Sequence, residues 1–210
     1  MKFSILMATR NRRQFLPEAI ASVLAQTHED WELLICADGD DVGDLIPSDP
    51  RIRHFRQEGL CLADALNQVR ALATGDVLHV AEDDDKMHPL ALDNVAGQSF
   101  RWIYGYMLTS KQDLRGDPCY TLNELLNTNY IPCPTVYWTR EIGEEAGPFD
   151  PACNYAWDYD YWLRLMRIAP PVFIPDVLAE YRLHPDQLTN TVAGTVPVHA
   201  AIARAKHDRL

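Results

Sequence analysis

The sequence predicts an α/β fold with a mainly parallel central sheet flanked by helices. Three observations carry that reading. Short, nearly continuous apolar runs recur at Phe3 to Ala8, Trp31 to Ala37 and Val77 to Ala81, as in strands buried on both faces. Segments with apolar residues at helical spacing separate these runs. Polar residues gather directly after each run, at the strand ends where open parallel sheets bind ligands.

Each element has its own signal. After the first run, Leu16, Ile20, Val23 and Leu24 share one helical face, and Pro17 sits near the helix start. Arg51 to Gln57 alternates weakly and suits a strand nearer an edge. Leu62, Leu66, Val69 and Leu72 mark a second helix that stops around Gly75. Pro89 opens a third helix that runs to about Ser99. The second half is less regular. Residues 100–140 mix aromatics, turns and short apolar runs, with Thr135 to Trp138 as a strand after Pro132 and Pro134. Asp158 to Ile168 reads as a helix, Val172 to Ile174 and Leu178 to Arg182 as two short strands, and Val198 to Asp208 as a last helix after a polar stretch.

At 210 residues the chain suits one domain with a sizeable core, and no repeat or linker divides it. We expect a first lobe over 1–99, a second over 100–184 and a tail over 185–210. The net charge of −11 opposes a nucleic-acid polymer or an anionic membrane, so a phosphorylated ligand would call for a mediating metal ion. The five cysteines form no CxxC pair and are odd in number, which favours reduced thiols in the cytoplasm. Cys36 and Cys61 sit in apolar segments and read as small core residues. The apolar run at the N-terminus ends at Ala8 and meets Arg10, Arg12 and Arg13, unlike a signal peptide. No later stretch approaches the roughly 20 apolar residues of a membrane span. A cytoplasmic location is therefore expected.

Chemistry concentrates at the strand ends. Glu82, Asp83, Asp84 and Asp85 follow the third run, and four adjacent carboxylates repel one another unless a counter-charge is present. A hard divalent cation would supply it, taking its remaining ligands from water and phosphate. A solvated acidic turn ahead of the Pro89 helix is the competing reading. Asp38 could accept from a base N–H or a ribose hydroxyl, but in isolation it reads first as a turn residue before Gly39. Asp158 is either a helix N-cap, which would lower its pKa, or a general base. Asp160 and Arg164 are four apart and suit a pair on the helix surface. His184, in Tyr181-Arg182-Leu183-His184-Pro185, reads on its own as a solvated loop histidine.

Taken together, several pieces resemble family 2 glycosyltransferases of the GT-A fold. They are SILMATRNR with SVLAQTHEDWELLICADGD, ALNQVRALATGDVLHVAEDDDKMHP, the AGPFD turn with DYDYWLRL, and YRLHPDQLT. Each piece alone is weak, and their order and spacing make the combination specific. The resemblance implies a nucleotide-sugar donor, in particular a UDP-sugar, and a Mn²⁺ or Mg²⁺ ion. It assigns Ala8, Thr9, Arg10 and Asp38 to the base and ribose, with Asp83 also on the nucleotide side. It assigns Asp84 to the metal, Asp158 to deprotonating the acceptor hydroxyl in an inverting reaction, and His184 to the metal or diphosphate.

Departures from the family pattern are Ala37 for an aspartate, Glu82 for the first aspartate of the metal motif, Arg10 for a tyrosine and Trp157 for a glutamate. They leave the reaction class standing and the donor identity open. Two other readings compete. A sugar-phosphate nucleotidyltransferase would carry a glycine-rich loop where this chain has Ala8-Thr9-Arg10-Asn11. A non-catalytic protein on a degenerate transferase fold would not need both Asp84 and Asp158. A dinucleotide-binding dehydrogenase lacks its GxGxxG after a strand here. The acceptor is not legible. Residues 100–157 would shape its pocket, and Trp102, Tyr104, Tyr106, Tyr130 and Trp157 divide between sugar stacking and core filling.

Overall fold

A computed structural model describes residues 1–207. The first half follows the expected alternation. Strand β1 (Phe3–Arg10) leads to helix α1 (Leu16–Leu24), then β2 (Trp31–Asp38), β3 (Ile52–Gln57), α2 (Leu62–Ala71) and β4 (Val77–Val80). A short β5 (Lys86–Met87) and α3 (Ala91–Ala96) complete it. The second half contributes β6 (Trp102–Thr109), β7 (Leu114–Arg115), α4 (Leu122–Asn127), β8 (Tyr137–Thr139) and α5 (Arg140–Ala146). It ends with α6 (Trp157–Ile168), β9 (Val172–Tyr181), α7 (Leu188–Thr191) and α8 (Val196–His207).

The nine strands of the described residues join one sheet in the order β3-β2-β1-β4-β8-β6-β9-β5, with β7 on β6. β1 to β4 run parallel, β8 is antiparallel to both β4 and β6, and β6 is parallel to β9. Strand alternation sends side chains to two cores. Phe3, Ile5 and Met7 pack with Leu16, Ile20 and Val23 of α1 on one face. Leu6, Leu34 and Cys36 meet Leu66 and Val69 of α2 on the other, in a core that continues through Trp138, Tyr161 and Trp162.

Several elements differ from the sequence expectation, each for a physical reason. β1 and β2 run on to Arg10 and Asp38, because the parallel ladder pairs those two residues as well. The helix expected over 89–99 is only Ala91–Ala96, and the chain leaves it at Gly97. The eight-residue β6 carries no clean apolar signature, since it is rich in aromatics and interrupted by Gly105. The two strands expected at 172–182 are one, β9. Its register against β6 shifts between Tyr104/Phe173 and Tyr106/Val177, so Ile174, Pro175 and Asp176 bow out opposite Gly105. A Cβ at Gly105 would lie 2.7 Å from the Asp176 carbonyl oxygen, so only glycine fits there. The last helix begins at Val196, and Asp208, its expected end, lies outside the described residues.

Candidate active site

The carboxyl ends of β1, β2 and β4 open into a cavity of about 510 Å³. Ala8, Thr9, Arg10 and Asp38 line one side of it. Two local devices set that rim. Asn11 takes a left-handed conformation (φ 55°), and its Oδ1 accepts from the Asp40 N–H at 3.2 Å. Gly39 (φ 95°) lies so close that a Cβ there would come within 2.4 Å of the same oxygen. The turns after β1 and β2 thus lock each other. Asp38 is buried, with Oδ1 accepting from the Gly59 N–H at 3.0 Å and Oδ2 at 3.5 Å from Arg10 Nε. The turn residue is therefore also a cavity wall.

Glu82, Asp83, Asp84 and Asp85 also line the cavity, and the three aspartates are buried rather than forming a solvated turn. Part of their counter-charge comes from the chain itself. Arg12 donates Nη1 to Asp83 Oδ1 at 3.0 Å and to Asp84 Oδ2 in a shorter contact. Its Nη2 reaches the Asp186 carbonyl at 3.3 Å. His184 Nε2 lies 3.2 Å from the same Asp84 oxygen, and its ring lies tilted against Phe15 at 4.1 Å. The loop histidine is thus drawn into the acidic rim, with its side chain only 10% exposed. Arg182 donates its backbone N–H to Asp85 Oδ1 at 3.0 Å and its Nε to the Asp84 carbonyl.

Burial dominates the protonation of this cluster. Desolvation, reinforced by Asp84 and Asp83, pushes the Glu82 carboxyl up to about 8, and Cys133 Sγ lies 3.2 Å from its Oε1. Desolvation also raises Asp83 to about 6, against the pull of Arg12.

The opposite wall comes from the second half. A 3₁₀ turn, Pro151–Ala156, is capped by Asp150 Oδ1, which accepts from the Ala152 N–H at 2.8 Å, and runs straight into α6. It carries Asn154 and Tyr155 to the cavity, and α6 adds Trp157 and Asp158. Asn154 Oδ1 accepts from the Ala63 N–H at 3.2 Å, tying this wall to the start of α2.

The N-cap of α6 is Ala156, so Asp158 is not the cap but a first-turn residue facing the cavity. Burial raises its pKa, and backbone N–H groups of the first turn offset that only in part. The expected lowering by capping is therefore reversed. Asp160 also departs from expectation. It is fully buried, not on the surface, and is held by Arg164 at 2.9 Å, Lys206 at 2.8 Å and His207 at 3.3 Å. Despite desolvation, those partners hold its pKa well below the ordinary carboxylate value.

The structure thus brings Ala8, Thr9, Arg10, Asp38, Asp83, Asp84 and Asp158 to one cavity, with His184 against Asp84 at its rim. Sequence reasoning missed Arg12, whose partners lie more than seventy positions away. It also missed Cys133 and the 187–189 strap, which line the same space. Cys61, read as core, is half-buried at the cavity and donates its thiol to Asp64. Trp102 and Tyr104 are core residues, while Trp157 is buried yet reaches the cavity wall.

A nucleotide-sized cavity at the strand ends of such a sheet, rimmed by carboxylates and faced by a further carboxylate, defines the GT-A class of transferase folds. The structure of Staphylococcus aureus TarS 1–349 in complex with UDP-GlcNAc superposes with a TM-score of 0.75 at 16% identity, over 89% of this chain and 60% of that one. The mannosyltransferase PcManGT from Pyrobaculum calidifontis, in complex with GDP-Man and Mn²⁺, gives 0.72 at 14% identity over the whole of this chain and 64% of that one. Residues 4–98 match the model of the family described as glycosyl transferase family 2. An uncharacterized glycosyltransferase of Rickettsia felis is 27% identical over 209 residues, covering 88% of this chain. The chain spans 34% of that relative's length. Among the described residues, no helix is long and apolar enough to cross a membrane.

Proposed function

We propose that this protein transfers a sugar from a nucleotide-diphosphate donor, a UDP-sugar, to an acceptor hydroxyl with inversion at the anomeric carbon. The observation that carries this reading is the shared cavity, with the polar ends of β1, β2 and β4 on one side and Asp158 on the other. Ala8, Thr9, Arg10 and Asp38 would hold base and ribose, with Asp83 beside them, and UDP-GlcNAc in TarS supports a UDP-sugar. Residues 1–99 form the nucleotide lobe, 100–184 the acceptor side and 185–210 a tail in this reading.

The donor set fits a divalent ion. A carboxylate oxygen of Asp84 and the Nε2 of His184 converge at 3.2 Å, on a spot where the Arg12 guanidinium already supplies positive charge. The carboxylate oxygen suits Mn²⁺ or Mg²⁺, and the imidazole is the softer ligand of the pair. Among the described residues no three His, Cys, Asp or Glu side chains could hold a metal by themselves, so phosphate and water would complete the shell. Bound there, the ion would neutralise the diphosphate and stabilise it as a leaving group.

The chain's own residues do the rest. Asp158 takes the proton from the acceptor hydroxyl as that oxygen attacks, and its raised pKa makes it a better base than a cap-bound aspartate. The Asn11–Gly39 lock fixes the nucleotide rim, and Asn154 spans to α2 so that the acceptor wall keeps its distance. The five cysteines are free, as a reducing compartment would keep them, and we assign the reaction to the cytoplasm.

Calorimetric titration of UDP with Mn²⁺ tests the reading. The wild type binds both, and Asp84→Ala loses metal-dependent binding. Unchanged affinity in that variant would remove Asp84 from the metal site.

A further inference from the structure

Arg12 is the cation this site already holds. It starts the turn after β1, directly behind the locked Asn11, and its side chain is 18% exposed within the cavity wall. One guanidinium nitrogen serves both Asp83 and Asp84, and the other holds the Asp186 carbonyl in the segment that follows β9. Asp84 Oδ2 therefore has two partners, Arg12 and His184. Both lone pairs of that oxygen are engaged, so a cation that binds through Oδ2 displaces one of them. An imidazole can itself become a ligand of that cation, whereas a guanidinium has no free lone pair and cannot. At that oxygen Arg12 is the partner that gives way.

We propose that Arg12 is an exchangeable counter-cation. It neutralises Asp84 while the site is empty, yields that carboxylate to a divalent ion, and then binds the donor's diphosphate. The proposal rests on the metal-dependent reading above and adds to it a two-position role for a residue outside the acidic motif. Tethered one residue past the Asn11 turn, the released side chain stays beside Thr9 and Arg10 at the nucleotide rim. Its permanent charge and planar fork match phosphate oxygens. The same exchange breaks its bond to Asp186, so arrival of the ion loosens the 184–187 segment.

The test uses the full chain and measures Mn²⁺ alone, then UDP at saturating Mn²⁺, by calorimetry. Arg12→Gln should bind Mn²⁺ at least about tenfold more tightly than wild type and UDP at least about tenfold more weakly. A residue with a merely structural role would not move the two constants in opposite directions. Arg13→Gln is the charge control, because Arg13 pairs with exposed Asp44 and does not touch Asp84. Equal or weaker Mn²⁺ binding in Arg12→Gln would overturn the exchange, as would equal tightening in Arg13→Gln. Unchanged UDP affinity would overturn the diphosphate role. If circular dichroism shows that Arg12→Gln is unfolded, Arg12→Lys replaces it. Lysine keeps the charge and loses the fork, so Mn²⁺ affinity should match wild type while UDP weakens, and tighter Mn²⁺ binding would overturn the proposal. Absence of Mn²⁺ binding in every protein, wild type included, would instead defeat the metal reading and this proposal with it.

Discussion

Asp158 and Asp160 lie two residues apart in the first turn of one helix and have opposite fates. Asp158 faces a cavity, has neutral donors near it, and is pushed toward the protonated form by burial. Asp160 points the other way into a closed pocket of positive charge, and stays ionised although it is fully buried. Desolvation acts on both, on half-buried Asp158 as on fully buried Asp160, so the cations decide. The lesson is that one helix can carry a carboxyl pushed toward its protonated form and, on its back, an ionised one that anchors it. Lys206 and His207 of α8 supply that anchor from the far end of the described chain.

The comparison can be broken at either residue. Asp158→Asn removes the proposed base with little change of shape, and turnover measured as UDP release should fall by about 10²–10⁴. Donor affinity should stay within about threefold, a change below 1 kcal/mol. A variant that turns over like wild type would show that another group is the base. Asp160→Asn should do the reverse and act on stability. It leaves Arg164, Lys206 and His207 without their shared carboxylate, at a cost of about 3–5 kcal/mol in chemical denaturation. The low end is expected, because Lys206 keeps Asp150 at 2.6 Å. A loss under about 1 kcal/mol would mean that the cluster is no anchor.

Acid titration of stability sharpens the contrast, because the two groups have opposite signs. The folded pKa of Asp160 is lowered, so its stabilisation is present above the ordinary value near 3.9 and is lost as pH falls through the folded value. That of Asp158 is raised, so its contribution is present below the ordinary value and is lost as pH rises through the folded one. Asp160→Asn should therefore flatten the acid limb of the stability curve, and Asp158→Asn should steepen the net loss on that limb. Identical limbs in all three proteins would contradict the assignment. The smallest effect is expected outside this helix. His184→Ala removes one neighbour of Asp84 and the ring contact with Phe15, and should weaken Mn²⁺-dependent UDP binding about tenfold without unfolding the chain.

The same pair shows what a sequence reveals and what it hides. β1, β2 and β4 were legible because each is a nearly continuous apolar run, and their following residues could be placed on the rim from that alone. Asp158 could be placed on a helix, but its environment depends on Pro151–Ala156 running into α6, and the cap residue Ala156 carries no signal. Asp160 looked like half of an i,i+4 surface pair because Lys206 and His207 are over forty positions away. β9 looked like two strands because Pro175 interrupts it, and only the empty side of Gly105 lets the chain pass through.

The three-residue β8 joins the two halves of the molecule. Leu78 of β4 pairs with Trp138, and Trp138 pairs with Trp102 of β6, so one continuous ladder runs from the rim strands to the strands of the second half. Two halves joined in this way have no hinge axis between them. Opening the cleft by swinging the halves apart would rupture a central stretch of sheet, whereas shifting the surface segments around the cavity would not. The sheet that carries the acidic rim is thus set when the chain folds, like one jaw of a fixed calliper. Any change in the width of the cavity must then come from the segments at its mouth.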